Sequence, residues 1–281
     1  MPTGPFSILI PSWNNLPFLK LCAESIRAHS AGEHEIILHL NEGSDGSLDW
    51  AREERIPFTH SKENVGVCQA LNEASKLATT DFISYINDDM YVLPGWDDAL
   101  QKVIQSISHR RWFLSGTMIE PTASRNRCAL APHDFGRTPA DFRRDELHQQ
   151  FQAIPMQDWN GANWPPNVVP RALWEEVGGY SEEFSPGMSS DPDFSRKLWE
   201  VGVRHFQGVA ASRVYHFQSS STGRVVRNDG RRQFLEKWRI TQSTFTRCYL
   251  KLGAPWKGPL SNPRPTPKLL YYLIKSALRR R

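Results

Sequence analysis

The chain has 281 residues, with 34 Lys and Arg against 30 Asp and Glu, a net charge of +4. Seven of the basic residues and no acid fall between Lys257 and Arg281, which leaves residues 1–256 with 27 basic and 30 acidic residues, a net of −3. That balance excludes a duplex binder, which needs a basic stripe on its folded body, and an apolar content of 39% excludes a disordered chain.

The first hundred residues alternate strand and helix signals. Phe6 to Ile10 is an apolar run ending at Pro11. Leu16, Leu19, Cys22, Ala23 and Ile26 recur at helical spacing over Leu16 to Ala28. Strands are predicted at Glu35 to Leu40, Ile56 to Thr59 and Phe82 to Ile86, with a helix at Val65 to Leu77. This β-α-β-α order implies a parallel sheet flanked by helices. Further on, Trp112 to Ile119 reads as a strand, whereas Glu120 to Pro166 shows no periodicity. A loop of that length in a compact domain is usually functional or poorly ordered. A strand at Asn167 to Pro170 and a helix at Arg171 to Val177 follow. Next come a helix at Asp191 to Val201 and strands near Val203 to Phe206 and Ser212 to Phe217. Arg231 to Lys251 has a helical pattern. Four prolines make Gly258 to Pro267 read as a linker before a basic amphipathic tail.

Cys22, Cys68, Cys128 and Cys248 are scattered without a CxxC pair, which suits a reducing compartment rather than a zinc site or disulfide scaffold. The N-terminus has neither a basic start nor a long apolar run, so no signal peptide is expected, and no stretch is apolar enough to span a bilayer. The expected location is cytoplasmic, extending to peripheral attachment on the inner face of the plasma membrane.

Polar clusters gather where strands end, which is where ligands bind in open α/β sheets. They are Ser12 to Asn15, Asn41 to Gly46, and Asn87-Asp88-Asp89. Adjacent carboxylates at a strand end repel unless a cation or solvent separates them, and Mg²⁺ would arrive with a diphosphate completing its shell. A solvated turn is the plainer reading of the same residues. Asn64 reads as a helix cap, and Gly66 permits close approach of backbone or ligand. Asp191-Pro192-Asp193 opens a helix either as a cap or as a site for a general base. His216 ends a strand. The polar segment Ser219 to Arg224 beyond it could fold over phosphates.

In order and spacing, these pieces resemble the successive motifs of family 2 glycosyltransferases. The matching stretches are Ile8 to Asn14, Asn41 to Ser47, Glu63 to Gly66, Asn87 to Met90, Gly178 to Phe184 and Asp191 to Arg196. The resemblance covers about residues 6–217. It implies a GT-A fold: a Rossmann-like mixed sheet flanked by helices, with nucleotide-binding (1–110) and acceptor (111–256) halves and a C-terminal helical extension (257–281). By the same resemblance, Pro11, Ser12 and Asn14 hold the nucleotide of a nucleoside-diphosphate sugar, with a UDP-sugar favoured. Asn41 stands where the family places an acid that contacts the base. Asn64, Gly66, Asn87 and Asp88 complete the donor side. Asp89 is the implied ligand of Mn²⁺ or Mg²⁺, with His216 as a further metal or diphosphate contact, and Asp191 is the implied catalytic base.

Gly178, Gly179 and Tyr180 would line the acceptor wall. Arg125, Arg127, His133, Arg137, Trp159 and Trp164 are candidates for binding a sugar or a phosphate. The acceptor is expected to be a glycan or a lipid-linked molecule, and no nucleic acid is expected. Residues 268–281 are expected either to touch an anionic membrane or to dock as a terminal helix on the body or at an oligomer contact; on the membrane reading, a cut after Gly258 should lower liposome binding and spare donor hydrolysis. Because Asn41, Asn87 and Ser190 replace acids of the family pattern, a nucleotide-sugar or glycan binder without catalysis is the alternative. A nucleotidyltransferase is a third reading, disfavoured because no Gly-rich phosphate loop with Arg or Lys lies near residue 12.

Overall fold

A computed structural model describes residues 4–124, 126–219 and 226–279. Its first half runs β1 (Phe6–Trp13), α1 (Leu16–His29), β2 (Glu35–Asn41), α2 (Ser47–Glu53), β3 (Phe58–Ser61), α3 (Gly66–Ser75) and β4 (Phe82–Tyr85). β1 lies between β2 and β4, parallel to both, with Leu9 opposite Ile37 on one side and Tyr85 on the other. Ile8 and Ile10 point to one face, packing with Trp96 and Leu100; Leu9 points to the other, with Cys68 and Leu71. A strand buried on both faces reads as a continuous apolar run, which is why these strands were visible in the sequence.

The remaining elements are β5 (Met90–Val92), α4 (Trp96–Ser106), β6 (Trp112–Ile119), β7 (Ala129–Leu130), α5 (Arg144–Gln150), β8 (Trp159–Asn160), β9 (Asn167–Pro170), α6 (Arg171–Val177), α7 (Ser190–Glu200), β10 (His205–His216), α8 (Gly230–Trp238), α9 (Gln242–Thr244) and α10 (Pro267–Leu278). One sheet runs β3-β2-β1-β4-β9-β6-β10-β5, with β7 beside β6 and β8 beside β10. It is mixed, not wholly parallel. β9 is antiparallel to both β4 and β6, and β5 is antiparallel to β10. β5 comes early in the chain yet pairs at the far edge, so the two halves interlock in one sheet.

Several expectations change. The two strands near Val203 and Ser212 are one strand, β10, with an irregularity between Val209 and Arg213. The helix predicted over Arg231 to Lys251 stops at Arg239, which takes a left-handed φ of 61°. Its continuation is α9, capped by Thr241, and a wide turn at Phe245–Tyr249. The unpatterned segment Glu120 to Pro166 is ordered around its own apolar cluster, in which Phe135, Leu147 and Phe151 pack with Tyr91 and Tyr215. Isolated large side chains make these contacts, so no period marks them.

The C-terminal segment is not a free tail. The Leu260 N–H donates to the Arg204 carbonyl (2.8 Å). The Thr241 N–H donates to Ser276 Oγ (3.1 Å), and Leu269 and Ser276 are buried. A cut after Gly258 would therefore strip cover from the core as well as remove α10. The opposite face of α10 carries Leu270, Tyr271, Ile274 and Leu278, each more than half exposed. Among the described residues, no helix is long and apolar enough to cross a membrane.

Candidate active site

The C-terminal ends of β1, β2 and β4 open onto a cavity of about 420 Å³. Pro11, Ser12, Asn41, Asn64 and Gly66 line it. So do Asn87, Asp88, Asp89, His216 and Asp191. A second cavity of about 1400 Å³ lies on the other side of Asp191. Tyr85, Asn87, Asp191 and His216 border both spaces, so the two meet at Asp191.

The wall of the smaller cavity is held by local hydrogen bonds. Ser12 Oγ donates to Asp88 Oδ2 (2.7 Å). Asn41 is nearly fully buried; its Nδ2 donates to the Ser12 carbonyl (3.3 Å) and its Oδ1 accepts from the Val65 N–H (2.9 Å). The amide expected to read a base thus ties β1 to the start of α3 while its edge still borders the cavity. Asn64 Oδ1 takes the Gly66 N–H (2.9 Å) in a turn just before α3, whose N-cap position is Val65 rather than the expected Asn64. Gly66 has φ +78°, and a Cβ there would come within 2.7 Å of Pro186 Cα, so only glycine fits.

Asn14 is placed differently from its expected role. Its Nδ2 donates to Glu42 and its Oδ1 accepts from the Ser44 N–H, so it clasps two loops together and does not line either cavity. Gly178 and Gly179 likewise line neither space. Gly178, at φ 68°, ends α6. At Gly179 a Cβ would meet Asn72 Oδ1 at 2.3 Å, so its role is close packing.

Tyr180 reaches the site through its hydroxyl, which donates to Asp191 Oδ1 (3.0 Å); its ring stacks on Phe194 with centroids 4.6 Å apart. Asp191 lies in the first turn of α7, two residues beyond the N-cap position occupied by Ser189, rather than at the cap itself. Burial raises its carboxyl to about 7, and the Tyr180 hydrogen bond offsets part of that rise. Asp193 points away, accepting from Trp238 Nε1 (2.6 Å) and pairing with Lys237. Of the two carboxylates, only Asp191 faces the cavities.

His216 stands between two buried acids. Its Nε2 is 3.4 Å from Asp89 Oδ2, and its Nδ1 is 3.0 Å from Glu120 Oε1. Burial alone would push the imidazole down, but Asp89 and Glu120 override it and raise it to about 10. Asp89 is held low despite burial, by His216 and by the Ser219 N–H at 2.8 Å. In this arrangement His216 bridges the two carboxylates, and its Nε2 could meet a cation only as the neutral imidazole. Residues Ser220 to Arg224, expected to fold over phosphates, lie outside the described residues, as do Arg125, Arg280 and Arg281. Glu120 escaped the sequence reading, although an acid directly following β6 carries the same strand-end signal as Asp89.

Of the other acceptor-side candidates, Trp164 and Arg127 line the larger cavity. Trp159 belongs to the core; its Nε1 donates to Thr117 Oγ1 (3.2 Å) and its ring packs against Gly208. Arg137 pairs with Asp134, and the backbone N–H of His133 donates to the Glu120 carbonyl.

The profile of the family described as "Glycosyl transferase family 2" matches residues 7–155, more than half of the chain. The chain belongs to glycosyl transferase family 2. The chain is also 31% identical over 102 residues to the putative glycosyltransferase EpsH of Bacillus subtilis, across 34% of this chain and 29% of that protein. Among solved structures it resembles S. aureus TarS 1–349 in complex with UDP, with a TM-score of 0.54 and 14% identity over 75% of this chain and 60% of that one. It also resembles GalNAc-T7 with UDP, GalNAc and Mn²⁺, with a TM-score of 0.55 and 15% identity over 80% of this chain and 44% of that one. These likenesses bear out the GT-A fold. The chain spans less than two thirds of each of these relatives.

The donor set also bears on a divalent cation. Among the described residues, no three His, Cys, Asp or Glu groups converge as a ready-made metal site. Yet Asp89 and Glu120 are both buried and share one cation, His216, which places oxygen donors side by side at the cavity wall. Mg²⁺ and Mn²⁺ suit such donors, and Mg²⁺ commonly takes only one or two carboxylates plus substrate phosphates. Such donors fit a cation that would arrive with a diphosphate, and Asp89 is the carboxylate that would hold it.

Proposed function

We propose that the transferase moves a sugar from a nucleoside diphosphate, UDP first among them, to a hydroxyl of a glycan or lipid-linked acceptor, with inversion at the anomeric carbon. One observation carries this reading: two cavities meet at a single carboxylate, Asp191, whose pKa lies near 7. The donor fills the smaller cavity, and the acceptor hydroxyl approaches from the larger. Asp191 takes the hydroxyl proton as the oxygen bonds to the anomeric carbon and the bond from that carbon to the diphosphate oxygen breaks. Attack from the face opposite the leaving group inverts the configuration. Mn²⁺ or Mg²⁺ at Asp89 would neutralise charge on the departing diphosphate. Ser12 and Asp88 position the donor end of the cleft, and Trp164 gives the acceptor side a surface on which a sugar ring can stack.

The expected result is turnover of a UDP-sugar with Mn²⁺, and an inverted anomeric configuration in the product read by NMR. UDP binding with no turnover across UDP-, GDP-, dTDP- and CMP-sugars would replace the enzyme with a binder.

The exposed face of α10 extends the reading to peripheral contact with an anionic bilayer on the cytoplasmic side. Its apolar residues lie beside Lys268, Lys275 and Arg279, the pattern of an interfacial helix. Replacing Leu270 and Ile274 by Glu is expected to release the protein from phosphatidylglycerol vesicles in sedimentation. Unchanged sedimentation removes this membrane contact.

A further inference from the structure

The larger cavity has a charged wall that the reaction outlined above does not use. Beyond Asp191, it is lined by Arg127, Arg247, Lys251, Arg264 and Lys268. They come from three separate stretches: the loop before β7, the turn after α9, and the segment leading into α10. All five are exposed, and among the described residues none lies within ion-pair distance of a carboxylate. Arg247 is instead oriented by the tail, donating from Nη1 to the Tyr272 hydroxyl (2.7 Å), with its guanidinium 5.9 Å from that ring. The acids of the same cavity are already engaged, Asp191 by Tyr180 and Glu120 by His216.

Five uncompensated cations in one cavity are a selective arrangement, since like charges gather at a cost unless a ligand neutralises them. Arg and Lys together provide forked and point-like donors for phosphate oxygens.

We propose that this wall is an acceptor subsite for phosphate: the acceptor carries phosphate or diphosphate groups, bound by these cations while its hydroxyl faces Asp191. The proposal rests on the transferase reading above and names the substrate class of its acceptor side. It also gives the docked C-terminal segment a role, because Arg264 and Lys268 reach the cavity only when α10 sits on the body. The phosphate can come from a lipid diphosphate or from a soluble phosphodiester glycan, and the shared chemistry is the anion.

The test is calorimetric titration of the full chain. UDP is titrated first; its failure to bind counts against the donor reading and is scored separately. The UDP-loaded protein is then titrated with farnesyl diphosphate, with an oligo(glycerol phosphate), and with a galacturonate trimer as a carboxylate control; if UDP does not bind, the same probes are scored on the unloaded protein. At least one phosphate probe should bind at least tenfold more tightly than the galacturonate. Arg247→Ala with Lys251→Ala should weaken that probe by about tenfold for each cation removed. Arg247→Lys with Lys251→Arg should largely restore it. Binding of farnesyl diphosphate alone identifies a lipid source, and binding of the oligomer alone a soluble one. The proposal is overturned if neither phosphate probe binds, if the galacturonate binds equally well, or if the double alanine variant binds the phosphate probe as tightly as the parent.

Discussion

Asp191→Asn is expected to lower kcat for sugar transfer by about 10²–10⁴-fold while leaving UDP affinity within a few fold. The amide fills the same volume and can still accept from the Tyr180 hydroxyl, so the fold and donor cavity should persist. What disappears is the group that takes the acceptor proton. Asp193→Asn serves as the structural comparison, because Asp193 faces Lys237 and Trp238 rather than the cavities. It should lower stability more than it lowers the rate per folded molecule. Equal loss of kcat in both variants, measured at matched folded fractions, would remove Asp191 from its assigned role.

Asp89→Ala is expected to cost about 10²–10³-fold in kcat, the scale seen when one charge-stabilising group is removed from a site. Two changes act together. The carboxylate proposed to hold a divalent ion is lost, and His216 is left with Glu120 as its acid partner. Asp89→Asn separates them, since the amide can still accept the Ser219 N–H without the charge. If the charge is what matters, Asn should be nearly as impaired as Ala, and added Mn²⁺ should rescue neither.

The same cluster makes stability depend on pH. His216 has its folded pKa raised from 6.5 to about 10. Its contribution is therefore fully present below about 6.5 and is lost as pH climbs toward about 10. Thermal melts should fall across that window in the parent and fall less in Asp89→Asn. Asp191 acts in the same direction at lower pH. Its raised pKa means the folded state holds a proton that the unfolded state releases, so stability declines between about 4 and about 7.

Much of the donor side was legible because it depends on local signals. Buried parallel strands are apolar runs, and the polar residues at their ends gather at one edge of the sheet, where Ser12, Asn41, Asn87 and Asp89 line one cavity. Orientation within the cleft was less legible. Asn14 and Asn41 are both loop or strand-end amides, yet one clasps two loops outside the cavities and the other bridges two elements at its wall. Hydrogen bonds between distant segments decide that difference, and no spacing encodes them. Gly178 and Gly179 matched a motif but serve a helix end and its packing on Asn72. The cationic wall was illegible for the same reason. Its five residues span Arg127 to Lys268, and two of them, Arg264 and Lys268, join the others only through the docking of α10.

The central claim is that a partly buried carboxylate at the junction of two cavities acts as the base. The pH dependence of kcat/KM for transfer, measured in the parent and in Tyr180→Phe, tests it most directly. The parent should show an acidic limb near pH 7, with activity rising as Asp191 loses its proton. Tyr180→Phe removes the hydroxyl that favours the charged form, so its limb should move to higher pH with little change in UDP affinity. A limb in the ordinary carboxylate range, or one that stays in place when the hydroxyl is removed, would contradict the account.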